Sequence, residues 1–96
     1  MKVSEITNTH IADYIRLTEY EDEKDFLTNL INIALAFIKS YTGLSDDELD
    51  QHEDFVIVVY ILCQHMYDTR VLYVDKSNLN KVVETILGMH RKNLLW

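Results

Sequence analysis

Proline is missing from all 96 residues, and glycine occurs only at positions 43 and 88. Sheet folds need frequent glycine and proline turns, whereas long helices joined by short connections need few. A chain of this length has room for one domain and one hydrophobic core. With 48% hydrophobic and 26% charged residues it has the balance of a folded globular protein. The expectation is an all-α fold, a small bundle of four main helices forming a single domain over residues 1–96. No repeat, low-complexity tract or linker divides the chain.

The apolar spacing places the helices. Thr7 or Thr9 can cap a short first helix whose stripe is Ile11, Tyr14, Ile15 and Leu17. The polar stretch 18–23 breaks it. Asp22 is the best cap for a second helix, with Asp25 in its first turn. Phe26, Leu27, Leu30, Ile31, Ala34, Leu35, Ile38 and Tyr41 then recur at three- and four-residue spacing, an amphipathic helix of about 20 residues. Gly43 stands where a left-handed C-terminal cap belongs. Ser45 caps a connector with one helical turn.

Phe55 to Cys63 is an unbroken apolar run of nine residues. Its β-branched content suits a buried strand, and periodicity alone does not exclude one. The pattern runs on to Arg70, however, too long for an ordinary strand, and no second strand stands ready to pair with it. A helix apolar on nearly every side is the central one, packed by the others. Ser77 is the expected cap of a last helix carrying Leu79, Val82, Val83, Ile86, Leu87 and His90.

Composition narrows the function. The apolar run is far shorter than the roughly 20 residues that cross a bilayer. The start Met1–Thr7 has no long apolar stretch behind it, so neither membrane span nor secretion signal is expected. Cys63 is the only cysteine and sits inside the apolar run, which suits a buried thiol in a reducing compartment. The formal net charge is −7. Residues 1–54 hold 13 acids and 4 bases (net −9), and residues 55–96 hold 3 acids and 5 bases (net +2). Such a chain is repelled by phosphate backbones, so specific DNA binding is not expected. The asymmetry suits self-association, negative part against positive part. It is equally explained by acids complementing the dipoles of helix N-termini.

Chemistry finds little to hold. His10, His52, His65 and His90 show no metal-ligand spacing, and Cys63 and His65, two apart, point to different helix faces. The acids at 19–25 lack the spacing of a calcium loop and read as a solvated helix start. No phosphate loop, nucleophile elbow or catalytic constellation stands out. The expectation is no enzyme, no cofactor and no metal. Two strings do stand out: Tyr41-Thr42-Gly43, and His65-x-Tyr67-Asp68-x-Arg70 closing the central helix. As structure, Arg70 and His65 face a negative dipole end, and Tyr67 packs with its hydroxyl in water. As function, Tyr67, Asp68 and Arg70 form a contact rim between chains.

These strings, in this order, resemble the head–tail connector (adaptor) family of tailed bacteriophages. The likeness runs from Ile15-Arg16-Leu17 through Asp22-Glu23-x-Asp25-Phe26-Leu27, Leu30-Ile31, Ala34 and Ile38 to Tyr41-Thr42-Gly43, and ends with the central helix and its finish. About two thirds of the chain is covered, the last helix only by length and position. The chain departs from the family in its missing prolines, its short link between Gly43 and Phe55, and its Trp96 ending.

The resemblance implies a structural subunit at the virion's head–tail junction, made in the host cytoplasm. Copies would assemble as a homo-oligomeric ring under the portal, extend the channel for packaged DNA without binding it specifically, and dock tail or stopper proteins. Candidate assembly contacts are Asp22, Glu23, Asp25, Tyr67, Asp68 and Arg70. Leu94, Leu95 and Trp96 join them by their apolar character, either anchoring in a neighbour or folding back on their own bundle. The alternative function is a small acidic regulatory protein that binds a host or phage partner.

Overall fold

The helix Asp54–Thr69 carries the apolar run, and the rest of the molecule is arranged around it. The computed structural model describes residues 2–16, 21–74 and 79–91, which form five α-helices and two 3-10 turns with no strand among them. The helices are α1 (Asn8–Ile15), α2 (Lys24–Thr42), α3 (Asp46–Leu49), α4 (Asp54–Thr69) and α5 (Lys81–His90). The 3-10 turns are Val3–Glu5 and Glu21–Glu23. Four of the helices are substantial and α3 is one turn, so the expected four-helix bundle with a central hydrophobic helix is borne out. No helix among the described residues is long and apolar enough to cross a membrane.

α4 packs against α1, α2, α5 and the first 3-10 turn. Its buried residues are Phe55, Val56, Val58, Val59, Leu62, Cys63 and Met66, which form one continuous face about 160° wide around the helix axis. That breadth is why β-branched residues are tolerated here. Burial of their side chains outweighs their few tenths of a kcal/mol of unfavourable helix propensity. Cys63 is fully buried, and burial pushes its thiol up to about 12, which makes it an inert packing residue.

α2 presents Leu27, Leu30, Ile31, Ala34, Ile38 and Thr42 to the core, a continuous three- and four-residue stripe. Phe26, Leu35 and Tyr41 flank the stripe half-buried. The buried Thr42 hydroxyl donates to the Ile38 carbonyl (2.7 Å) and accepts from the Leu44 amide (3.2 Å), so it leaves no polar atom orphaned. Gly43 ends α2 in the left-handed region (φ 76°), its amide bonded to the Lys39 carbonyl. That is the cap the sequence announces.

The capping residues settle several open choices. Thr7, not Thr9, caps α1, with His10 reaching back: the Thr7 amide donates to His10 Nδ1 (3.0 Å). Tyr14 does not join Ile11 in the core. Ala12 does, and Tyr14 is half-exposed, its ring 4.9 Å from that of Tyr60. Leu17 lies outside the described residues. Ser45 and Glu48 form a reciprocal capping box on α3, as expected of Ser45. Asp22 is not the cap of α2. It lies within the 3-10 turn, and Glu23 occupies the cap position without a capping hydrogen bond.

The cap of α5 is Asn80, whose side chain accepts from the Val82 amide at 2.8 Å. Ser77, the expected cap, lies outside the described residues. Leu79 therefore precedes the helix rather than belonging to it, and Val82 faces outward, half-exposed, while Val83 and Leu87 are buried. The N-terminal segment is pinned at long range. The Ser4 amide and hydroxyl both donate to the Asp50 carboxylate (2.9 and 2.8 Å), which fastens the first 3-10 turn to the end of α3.

The two glycines make opposite predictions. Gly43→Ala forces a β-carbon into the left-handed region and should lower stability by about 1 kcal/mol. Gly88 lies inside α5 with nothing within 4 Å of an added β-carbon. Gly88→Ala should therefore raise stability by about 0.5–1 kcal/mol through helix propensity. Urea midpoints of the two variants, read at equal slope, check the pair.

Candidate functional site

α4 is about 24 Å long, and each of its ends carries a cluster of chemically capable side chains. At the C-terminal end the helix stops at Arg70, a left-handed cap (φ 58°) that turns the chain sharply. One turn earlier, Tyr67 faces the start of α2, and its hydroxyl donates to Glu23 Oε2 at 2.6 Å. The Arg70 guanidinium donates to the other oxygen, Oε1, at 3.2 Å. It also lies over two rings, 4.4 Å from the centroid of Tyr67 and 5.2 Å from that of Phe26. Glu23, Phe26, Tyr67 and Arg70 thus form one corner where α2 and α4 meet.

Both oxygens of Glu23 are committed to α4, which explains why it makes no capping hydrogen bond on its own helix. The Tyr67 hydroxyl, more than the Arg70 guanidinium, holds the Glu23 carboxyl below the usual range, against a smaller opposing effect of burial. The same hydrogen bond, with burial behind it, raises Tyr67. The expectation that the Tyr67 hydroxyl sits in water is overturned. It is paired because the acidic start of α2 is brought against it.

Of the residues the resemblance singles out, Glu23, Tyr67 and Arg70 come together, and their first partners are one another. Asp22 and Asp25 flank the corner and are exposed, as is Asp68 on α4. Leu94, Leu95 and Trp96 lie outside the described residues.

The other end of α4 gathers residues the spacing argument passed over. His52 precedes the helix, Asp54 is its first residue, and His90 is the last residue of α5. His90 Nε2 lies 2.8 Å from Asp54 Oδ2, a hydrogen bond in which the imidazole N–H donates. The His52 and His90 rings are 4.1 Å apart between centroids, and Phe55 lies beneath them, 4.9 Å from His90 and 5.8 Å from His52. One ligand atom from each of His52, Asp54 and His90 falls within 4.8 Å of the other two. All three are half-buried. The sequence signal was a bare His-x-Asp whose third member lies 36 residues beyond Asp54, a separation only the fold closes. His65 is exposed and Cys63 buried on α4, on different faces as expected.

Two grooves also open on the surface among the described residues. One, of about 370 Å³, lies between the N-terminal segment and α2, lined in part by Ser4, Thr7, Asn8, Thr28 and Asn32. The other, of about 310 Å³, is bounded by Phe37, Tyr41, Val74 and Arg91, whose guanidinium stands 5.1 Å from the Tyr41 ring. Apolar residues are also left outside. Ile57 is 45% exposed, and with half-buried Ile61 and Tyr60, the latter flanked by Tyr14 of α1, it forms a stripe on a side of α4 that the described helices cover only in part. On α5, Val82 (50%), Ile86 and Met89 (65%) form a second outward stripe. Leu72 and Tyr73, after α4, are also exposed.

Comparison with protein-family models, with curated proteins and with solved structures finds no match for this chain.

The two lowered carboxyls make acid stability testable. Glu23 is held down by Tyr67 and then Arg70, and Asp50 by the Ser4 amide and then the Ser4 hydroxyl. A carboxyl whose folded-state value lies below its unfolded one stabilises the fold above the unfolded value. That contribution disappears as pH falls through the folded value. Stability should therefore fall on acidification below about pH 4.5. Tyr67→Phe should flatten that fall, its difference from wild type being widest near neutrality and shrinking in acid. Urea midpoints between about pH 6 and pH 3 read it directly.

Proposed function

We propose that this chain is a non-catalytic structural subunit of the phage head–tail connector type. It assembles with copies of itself as a ring on the tail-facing end of a portal, extends the DNA channel and offers a dock for tail or stopper proteins. The observation that carries the reading is the apolar surface the folded bundle leaves uncovered. Soluble monomers expose isolated hydrophobic residues freely, but stripes of them on helix faces mark surfaces that a partner covers.

The stripes on α4 and α5 are different surfaces on different helices. A ring is built from head-to-tail contacts between two unlike patches, which is what such a pair supplies. The charge division of −9 over residues 1–54 and +2 over 55–96 favours the same mode, since unlike halves attract across a contact. The ordered strings that resemble the connector family support it independently. Two of them, around Glu23 and around Tyr67 to Arg70, meet in one bonded corner. That corner stiffens the junction of α2 and α4 and leaves Asp22, Asp25 and Asp68 outward for contact. An acidic lumen would also repel DNA and let it slide.

The test mixes the purified chain with the portal of the same phage and images the product. Rings on the tail-facing end of the portal support the reading. A bare portal under conditions that support packaging sinks it. Selective capture of a basic DNA-binding protein would favour a regulator instead. Ile57→Asp and Met89→Glu sharpen the experiment. Each replaces an exposed residue, so thermal stability should stay within about 0.5 kcal/mol of wild type, while ring formation is lost.

A further inference from the structure

We propose that His52, Asp54 and His90 form a binding site for a divalent transition-metal ion of the zinc class. The donor set is two imidazole nitrogens and one carboxylate oxygen, a combination that zinc, cobalt, nickel and copper ions accept and that magnesium and calcium disfavour. The three ligand atoms lie within 4.8 Å of one another. Donors sharing a tetrahedral zinc ion at about 2.0–2.1 Å stand roughly 3.3 Å apart. His90 Nε2 and Asp54 Oδ2, at 2.8 Å, are already slightly closer than that, and the His52 ligand atom lies within 4.8 Å of both, so rotation of its half-buried side chain completes the set.

The surroundings suit a cation. His90 is the last residue of α5, so that helix directs its negative end at the site. α4 begins at Asp54 and presents its positive end, but Asp54 itself offsets that with a full negative charge. Arg91, the nearest cation in sequence, stands over the Tyr41 ring. The Phe55 ring closes one side of the site and limits water access there. On binding, the His90 Nε2 proton leaves, either to Nδ1 as the other tautomer or to solvent, and the freed lone pair goes to the ion. Three protein ligands leave the fourth position for water or for a ligand donated by a neighbouring molecule.

The ion would join the start of α4 to the end of α5, elements 36 residues apart in the chain between Asp54 and His90. It should therefore raise thermal stability as well as bind. This inference is independent of the connector reading, since it needs no partner chain.

The experiment titrates the full chain with Zn²⁺ by calorimetry and with Co²⁺ by visible absorption, with circular dichroism recording helicity throughout. The expected result is one ion per chain, cobalt d–d bands with nitrogen–oxygen ligation, and a higher thermal midpoint with metal. His52→Ala, Asp54→Asn and His90→Ala should each weaken binding by more than the roughly 10–100-fold that changes to the outer partners of metal ligands cost. His10→Ala and His65→Ala should leave it intact. Should His90→Ala lose helicity, His52→Ala, which lies outside every helix, carries the test alone. Absence of binding by wild type at hundred-micromolar metal overturns the proposal. So does binding that survives His52→Ala or that is lost with His10 or His65.

Discussion

The structure depends on burying one helix. Phe55, Val58, Val59 and Cys63 are wholly removed from water, and Leu62 and Met66 nearly so. A segment so apolar has no stable place at the surface. α1, α2 and α5 each contribute a stripe to cover it, and each stripe alone would be a marginal helix in water. Truncating Phe55, the largest fully buried side chain, would remove about 3–5 kcal/mol, a large share of what holds a domain of this size together. α4 is therefore both the core and the frame on which both side-chain clusters hang.

Because α4 is flanked rather than encircled, its ends and its open side carry the chemistry. At its C-terminal end Tyr67 and Arg70 turn the acidic start of α2 into a bonded corner. At its N-terminal end Asp54 meets His90, with His52 stacked alongside. Between them exposed Ile57 and half-buried Tyr60 and Ile61 lie along its partly covered side. Polar contacts at the ends fix how the helices are set against one another, while the apolar middle supplies most of the free energy. The exposed ion pairs, such as Lys39 with Asp46 at 3.1 Å, add little to that because water screens them.

The connector reading and the metal site draw on different parts of the molecule. The first rests on surface that folding leaves apolar, the second on donors that folding brings together. A metal tie between α4 and α5 would stiffen the very pair of helices whose outward stripes the connector reading assigns to neighbours. Within a ring, the open fourth coordination position would lie on a subunit that is itself covered by others.

The one-dimensional pattern by itself determined the helices and their order. Missing proline, sparse glycine and apolar residues at helical pitch leave no sheet to build, and Gly43 and Ser45 mark their caps by local backbone chemistry alone. It determined Cys63 as buried and α4 as central, because a run without polar breaks has only one stable environment. Local pattern did not decide between Tyr14 and Ala12 in α1, or whether Val82 faces in. Those depend on the rotation of each helix against α4. Nor did it reveal that the Tyr67 hydroxyl binds Glu23 across 44 residues or that His90 binds Asp54 across 36. Such pairs carry no trace in spacing, since a hydrogen bond fixes only the distance between two atoms. The packing of α2 and α5 on α4 decides which atoms those are.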